Sequence, residues 1–223
     1  MREPSARGGD STRGYGPATS AKDPEASGAS RPRRAASPRE VGRRRGARVA
    51  AVVLAAGEAS RFGSAKQVVL LPRVLERLAG TDVDEIVVVG GAHALDRPGA
   101  SVLQGRPCRV VTCSEWAKGP GASLRCGLAA LGDEVAAAVV VLADGPDLAP
   151  AAVDRVVDAW LRRATPIVAA SYDGVRGHPL VLARAVWGEV PDEGLRSQDV
   201  VLVPCDDLGA PGDVDYPEDL PAR

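Results

Sequence analysis

The sequence has very few aromatic residues. Phe, Trp and Tyr make up only 3% of its 223 residues, so Val, Leu and Ala have to fill any core. The chain also lacks a run of apolar residues long enough to span a bilayer. The apolar run at residues 49–56 is far shorter than the roughly 20 residues that a spanning helix needs. We therefore expect no membrane partner.

Cysteine is scarce and its spacing is uninformative. No Cys-x-x-Cys pair occurs, and no histidine stands near a cysteine at a spacing typical of zinc ligands. With no export signal, the sequence favours reduced thiols in a cytoplasmic protein over a zinc site or a disulfide framework. The cysteines are Cys108, Cys113, Cys126 and Cys205.

Residues 1–47 differ from the rest of the chain. They are rich in Arg, Pro, Gly, Ser and Ala, and they carry 11 basic against 5 acidic residues, whereas the body has an excess of acidic residues. Such a segment buries too little apolar surface to offset its ordering entropy, so we expect a disordered basic tail. Its charge would suit nucleic acid or an acidic partner. An unstructured extension, or a translation start placed too far upstream, is the preferred interpretation, and we expect no nucleic-acid partner.

One alternative concerns the start of the body. Arg43, Arg44 and Arg45 precede the apolar run, as the charged region of a secretory signal would. Such a signal would begin about forty residues into the chain, far from its usual position, and its removal would discard a strand that the sheet needs. We interpret the run as a buried strand. The body, residues 48–223, then has the length of one domain.

Strand-like and helix-like segments alternate along this body, which predicts an α/β fold with a mostly parallel sheet. Several strands are continuous Val, Ala and Leu runs, as expected where both faces are covered. The predicted strands are residues 48–54, 85–89, 109–112, 137–142, 165–170, 179–182 and 200–203. The predicted helices are residues 67–79, 122–131, 150–163 and 183–187.

The loop after the first strand has the composition of a phosphate-binding loop. Gly57 and Gly63 let the backbone bend and approach an anion, and Arg61 and Lys66 supply positive charge. The spacing matches neither GxxxxGK[ST] nor GxGxxG. We expect backbone N–H groups and two cations to converge on a nucleoside triphosphate.

Acidic residues follow two later segments. Asp144 comes after the fourth strand, where it is either a ligand for a hard cation or a turn residue, and Asp147 is a candidate helix cap. Asp213 and Asp215 precede a proline-started segment, and a charged turn is the plain alternative. Ligands of such sheets gather at the carboxyl ends of the strands. We therefore expect the cationic loop and the acidic turns to meet at one rim.

A second glycine-rich loop runs into the predicted helix at residue 122. Its unpaired N–H groups would face an anion or a base edge, although Ser123 is also a candidate N-cap. His178, before Pro179, is more often structural than functional in such a setting.

These segments resemble the MobA-like NTP transferases, closest to the molybdenum cofactor cytidylyltransferases (the MocA-like branch). The resemblance covers residues 48–220 with the motifs in family order. The matching segments are LAAGEASRFGSAK at 54–66, WAKGPGASLRCGL at 116–128, LADGPDL at 142–148, RGHP at 176–179, DEGLR at 192–196 and DVDYPEDL at 213–220. The guanylyltransferase branch usually has LAGG, GPL and CDxP where this chain has LAAG, GASL and ADGP.

The resemblance implies a Rossmann-like three-layer α/β/α sandwich of the nucleotide-diphospho-sugar transferase (GT-A-like) type. It implies transfer of CMP from CTP to molybdopterin or its molybdenum form with release of pyrophosphate, and a molybdoenzyme or maturation factor as protein partner. Lys66, Arg61 and Asp144 would be catalytic, Asp144 and Asp215 would bind Mg²⁺, and His178 and Arg196 would border the acceptor. The nucleotide-binding residues implied are Leu54, Ala55, Ala56, Gly57, Arg61, Gly63, Lys66, Gly119 and Ser123.

Two segments depart from the family pattern. The stretch between Lys66 and the following helix is shorter by several residues, and the segment after Arg196 is trimmed. Both lie where the family binds substrate. The alternatives are therefore a GTP-dependent guanylyltransferase, a sugar-phosphate nucleotidyltransferase, or a non-catalytic nucleotide-binding homologue that acts through a partner protein.

Overall fold

The structure, a computed structural model, describes residues 46–58, 66–95, 105–163 and 165–212. Its strands are β1 (Arg48–Ala55), β2 (Glu85–Gly90), β3 (Cys108–Thr112), β4 (Val135–Leu142), β5 (Ile167–Tyr172), β6 (Val175–Ala183) and β7 (Val201–Pro204). They form one sheet in the order β3-β2-β1-β4-β6-β5-β7. The predicted α/β fold with a mostly parallel sheet is confirmed. The predicted tail lies outside these ranges except for residues 46 and 47, so the tail and the domain boundary stay predictions.

Three α-helices are described: α1 (Lys66–Ala79), α2 (Pro120–Ala129) and α3 (Pro150–Arg163). The bounds of α3 are as predicted. Helix α2 begins two residues earlier than predicted because Pro120 occupies its first turn, where a missing N–H is harmless. The segment predicted as a helix at residues 183–187 is a 3₁₀ helix, Arg184–Glu189, and two further 3₁₀ turns span Trp116–Lys118 and Asp206–Leu208.

Helices cover both faces of the sheet. On one face, Val74 of α1 and Val153 of α3 pack in a core that includes Val53 of β1. On the other face, Leu124 of α2 packs in a core that includes Val52 of the same strand. Neighbouring residues of β1 therefore point into two different cores, which explains why that strand is apolar throughout.

The chain reverses direction across the sheet between β1 and β4. From β1 the strands proceed outward through β2 to β3, and the chain then returns to β4 on the other side of β1. Strands β1 and β4 are adjacent and parallel, with Leu54 opposite Leu142 near their ends. A crevice for ligands forms at the carboxyl ends of the two strands that flank such a reversal.

Strand β6 is antiparallel to both of its neighbours, β4 and β5. It is longer than the predicted segment 179–182 because a hairpin joins it to β5. Asp173 and Gly174 form the turn with positive φ angles of 51° and 75°, as two-residue hairpins require. As a result, the start of β6 lies at the same rim as the end of β4.

Among the described helices, none combines the length and the apolar composition that crossing a membrane demands.

Candidate active site

Two charged side chains meet at the β1–β4 crevice. Lys66 is the first residue of α1, in the connection that leaves β1, and Asp144 lies two residues beyond the end of β4. Lys66 Nζ is 3.0 Å from Asp144 Oδ2, and the side chains are only 10% and 25% exposed. The structure therefore brings together the lysine and the aspartate that the sequence analysis placed at one rim. At this depth the ion pair is screened less by water than a surface pair would be.

The backbone that leaves β1 is held by its neighbours. Leu54 O accepts a hydrogen bond from Ala143 N at 3.0 Å, and Ala56 O accepts one from Ala92 N at 3.1 Å. Ala55 and Ala56 are buried, and Leu54 is half-buried. Strands β2 and β4 thus fix the position of the predicted nucleotide-binding loop. Arg61 and Gly63 lie outside the described residues, and their roles stay predictions.

Gln67 is a site residue that the sequence analysis missed. Its side chain is buried, and Nε2 donates to Gly57 O at 3.1 Å. A Cβ at position 57 would lie 3.3 Å from Gln67 Nε2, tighter than most contacts, so glycine suits this approach. Gln67 therefore anchors the start of the loop to α1. The buried Gln67 Oε1 has no hydrogen-bond partner within the part of the chain that the structure describes.

The end of the described chain packs against the loop that follows β4. Asp147 N donates to Pro211 O at 2.9 Å, and a Cβ at Gly145 would lie 3.1 Å from Pro211 Cβ, tighter than most contacts. Asp147 also forms an ion pair of 3.0 Å with Arg73 of α1. Asp215 lies outside the described residues. Its predicted role as a metal ligand stays a prediction, although the chain enters that segment beside the Asp144 loop.

The glycine-rich loop before α2 is packed against protein. Gly121 N donates to Asp192 O at 2.9 Å, and Gly119 N donates to Trp116 O at 3.1 Å. The expectation of unpaired N–H groups at these two glycines is therefore wrong. Side chains at 119 or 121 would collide with the backbone of residues 191–192, so close packing explains the glycines. Gly119 and Ser123 as nucleotide contacts stay predictions, and the buried Ser123 lies in the first turn of α2.

Arg125 of α2 adds side-chain hydrogen bonds to the contact between this loop and residues 190–192. It donates to Val190 O at 2.6 Å and pairs with the carboxylate of Asp192. That pairing holds the pKa of the exposed Asp192 below its usual range. The segment at 190–194 is thus clamped to α2. No pattern of the sequence identified this partner, because the two segments are more than sixty residues apart.

The predicted acceptor residues lie in different surroundings. His178 is half-buried in β6, and burial, aided by the charge of Arg176, lowers its pKa to about 4 although Asp144 opposes the shift. The imidazole is therefore neutral at physiological pH. The antiparallel pairing of β6 with β4 puts His178 near the rim where β4 ends. Arg196 is exposed, next to the buried Leu195. The acceptor roles of His178 and Arg196 stay predictions.

Two of the four cysteines contradict the expectation of reduced thiols. Cys113, which follows β3, forms a disulfide with Cys126 of α2, while Cys108 and Cys205 are free. Both partners belong to the layer where α2 packs on the sheet. The bond closes the segment that contains the whole glycine-rich loop. This bond was not predictable, since neither the spacing nor any motif in the chain pairs these two cysteines.

A family model for the MobA-like NTP transferase domain matches residues 51–202, which begin within β1, end within β7 and contain both Lys66 and Asp144. The chain belongs to the MobA-like NTP transferase family. It therefore carries a nucleotidyltransferase domain. A comparison with curated proteins gives no significant match.

Solved structures with this fold include mycobacterial proteins. Rv0371c from Mycobacterium tuberculosis H37Rv is 30% identical, with a TM-score of 0.60 over 77% of this chain and 95% of that one. Its homologue from Mycobacterium sp. strain JC1 is 26% identical, with a TM-score of 0.59 over 77% and 92% of the two chains. Rv0371c has also been solved in complex with manganese, and that structure is 25% identical over 70% and 88% of the two chains, with a TM-score of 0.53.

A more distant similarity concerns the fold alone. The 4-diphosphocytidyl-2C-methyl-D-erythritol synthase of Anaerococcus prevotii DSM 20548 is 17% identical, with a TM-score of 0.56 over 78% of this chain and 93% of that one. The predicted Rossmann-like fold of the nucleotidyltransferase type is therefore confirmed.

Proposed function

We propose that this family member uses a divalent metal, Mg²⁺ by preference, to transfer CMP from CTP to the phosphate group of molybdopterin or its molybdenum form. The observation that supports this most is the partly buried ion pair between Lys66 and Asp144 at the β1–β4 crevice. One partner suits a triphosphate and the other suits its metal ion, and both lie where such sheets bind ligands.

The lysine side of the pair would hold the donor. Lys66 begins α1, and the first N–H groups of a helix have no partner within that helix, so they favour an anion. The Lys66 ammonium lies at the same place. Together they would bind the β- and γ-phosphates and stabilise the charge that develops on departing pyrophosphate. Arg61, four residues into the loop after Gly57, would add a second positive charge.

The aspartate side of the pair would hold the metal. A carboxylate oxygen is a ligand that Mg²⁺ prefers, and Asp144 is partly exposed at the rim. Asp215 is the second candidate ligand, with Asp213 as its neighbour, because Pro211 already contacts the Asp144–Asp147 loop. A divalent ion bound there would neutralise phosphate charge. The manganese complex of the Mycobacterium tuberculosis relative agrees with a metal in this part of the family.

The reaction needs little acid–base chemistry from the protein. A phosphate monoester has its second pKa near 6, so it is largely a dianion at neutral pH and needs no base to remove a proton. One of its oxygens would form a bond to the α-phosphorus, and the bond between that phosphorus and the bridging oxygen to the β-phosphorus would break. Pyrophosphate would leave with that electron pair. Positioning and charge stabilisation by Lys66 and Asp144 would then supply most of the rate enhancement.

Pyrophosphate release tests this function directly. The purified protein is incubated with Mg²⁺ and CTP, GTP or UTP, each with molybdopterin, its molybdenum form or a sugar phosphate. We expect turnover to be fastest with CTP and a molybdopterin acceptor. Asp144→Asn should lower turnover by about 100-fold or more if it removes a ligand of the catalytic metal. The matched control is Asp147→Asn, in the same loop but paired with Arg73 at the surface, which should stay close to wild type.

Each other outcome has a definite meaning. Faster turnover with GTP, or with a sugar phosphate, would replace the donor or the acceptor in the proposal. Nucleotide affinity without turnover under any acceptor would show the non-catalytic homologue that acts through a partner. Full Mg²⁺-dependent turnover in Asp144→Asn would refute the metal-binding role.

A further inference from the structure

Arg176 lies near the start of β6 with its guanidinium only partly satisfied. Nη1 donates to Leu195 O at 2.9 Å and to Gln198 O at 3.2 Å. Across the described ranges, no carboxylate lies within ion-pair distance of Arg176, and its Nε and Nη2 make no hydrogen bond. Removal from water lowers the pKa of this half-buried group. A guanidinium held rigidly without a counter-charge is favourable for binding an anion.

The position of Arg176 relates it to the candidate active site. Strand β6 runs antiparallel to β4, with Leu180 opposite Val140. Asp144 is four residues beyond Val140, and Arg176 is four residues before Leu180, so both lie at the same rim. His178 lies two residues after Arg176 in β6, and its pKa responds to the charges of both Arg176 and Asp144. Arg176 therefore lies on the β6 side of Asp144, and Lys66 lies on the α1 side.

We propose that Arg176 binds the phosphate group of the acceptor. This inference rests on the proposed nucleotidyl transfer and adds to it the residue that would hold the attacking group. With Nη1 fixed by two carbonyls, the edge formed by Nε and Nη2 is free of hydrogen bonds to the described residues. That edge matches two oxygens of a phosphate in a bidentate contact. The third oxygen would then be left to attack the α-phosphorus of the donor.

The positions of the two cations Lys66 and Arg176 around the rim support assigning the acceptor phosphate to Arg176. Lys66 lies at the donor side, in the ion pair with Asp144. In the proposed function this side binds the triphosphate, which leaves the β6 side for the acceptor. Arg176 is thus a cation that the described part of the β6 side offers to a phosphate monoester, with two N–H groups facing away from its carbonyl partners. A lysine in its place would keep the charge but lose the planar fork.

NMR of the wild-type protein tests the proposal without a mutation. Inorganic phosphate is titrated into protein saturated with Mg²⁺ and a CTP analogue whose α–β bridge is a methylene group. We expect the arginine Nε–Hε signal of Arg176, assigned in wild type by linking it to the backbone resonances of the same residue, to shift saturably. Arg184 is the internal reference because it is held by Gly132 O and Val135 O and paired with Asp133. An unmoved Arg176 signal, or equal shifts at both arginines, would overturn the proposal.

Variants then separate binding from folding. Arg176→Lys and Arg176→Gln should weaken phosphate binding at least tenfold while Mg–CTP affinity stays within twofold of wild type. Arg48→Gln, which removes an exposed pair with Glu134 at the opposite end of β1, should change neither affinity. Loss of both affinities in Arg176→Lys would indicate a structural role and overturn the proposal. If either variant fails to fold in thermal unfolding, the wild-type NMR titration decides.

The test also distinguishes this inference from the proposed function. If wild type does not bind Mg–CTP, the donor assignment fails by itself. Phosphate is then titrated into Lys66→Met protein without nucleotide, where the donor-side cation is absent. A saturable shift of the Arg176 signal there supports an anion site on the β6 side, and no shift refutes it.

Discussion

Replacing Gly121 with alanine should destabilise the protein although alanine is the better helix former. A Cβ at this position would overlap Pro191 O, lie 2.8 Å from Pro191 C and lie 3.1 Å from Asp192 O. The segment at 190–194 would have to retreat, and the hydrogen bond from Gly121 N to Asp192 O would weaken. Overpacking costs about 1–3 kcal/mol and the hydrogen bond about 1 kcal/mol. Helix propensity returns about 1 kcal/mol, which leaves a net loss of roughly 1–3 kcal/mol.

Urea denaturation followed by tryptophan fluorescence measures this loss, since Trp116 stands beside the loop. Gly188→Ala is the matched control, because a Cβ there meets nothing within 4 Å, and we expect it to change stability by less than about 0.5 kcal/mol. If Gly121→Ala is as stable as wild type but loses nucleotide affinity, the glycine serves ligand approach rather than packing. That result would refute the packing explanation.

Two further predictions concern stability. Burial raises the pKa of Asp154 to about 6, so the folded state resists ionisation of this carboxyl and wild type loses relative stability as the pH rises through 6. Asp154→Asn should therefore be more stable than wild type by about 1 kcal/mol at pH 7.5, which is less than the full pKa shift implies because solvent screens this partly exposed group. At pH 4 the two proteins should be equally stable, and a gain that persists there in urea titrations would contradict burial as the cause. The disulfide between Cys113 and Cys126 spans 13 residues in sequence, for which loop closure gives about 3 kcal/mol. Under oxidising conditions Cys126→Ser should lose most of that free energy of unfolding, and dithiothreitol should lower wild type to the level of the variant; insensitivity of wild type to the reductant would show that the bond adds nothing.

The central features of the fold could be predicted because they depend on local composition. The apolar runs of β1 and β4 are buried on both faces, and parallel buried strands have that composition. The meeting of Lys66 and Asp144 was also predictable, although 78 residues separate them. Each follows a strand, and the carboxyl ends of parallel strands share one rim.

The antiparallel part of the sheet was less accessible, although one signal was present. Asp173 and Gly174 form a dipeptide typical of two-residue hairpins, and it joins β5 to β6. The predicted strand begins at Pro179, five residues after Gly174, so the prediction did not include this hairpin. Recognising the dipeptide would have placed Arg176 at the rim with Asp144.

Contacts that depend on close packing of distant segments could not be predicted. The clamp between Arg125 and Val190 and the disulfide between Cys113 and Cys126 leave no periodic pattern in the chain. The glycines of the loop before α2 are compatible with ligand approach and with backbone packing alike. The hydrogen bond from Gly121 N to Asp192 O favours backbone packing.

The most direct test of the central claim is calorimetric titration of Mg–CTP into wild type and Lys66→Met. Methionine retains an apolar stem for this buried position and removes the ammonium. If Lys66 contacts the triphosphate, the variant should lose about 1.5–3 kcal/mol of binding free energy, as expected for a hydrogen bond to a charged group. Arg73→Ala is the control, since Arg73 lies seven residues further along α1 in the exposed pair with Asp147, and it should bind like wild type. Equal affinity in wild type and Lys66→Met would contradict the claim that the pair of Lys66 and Asp144 marks the nucleotide site.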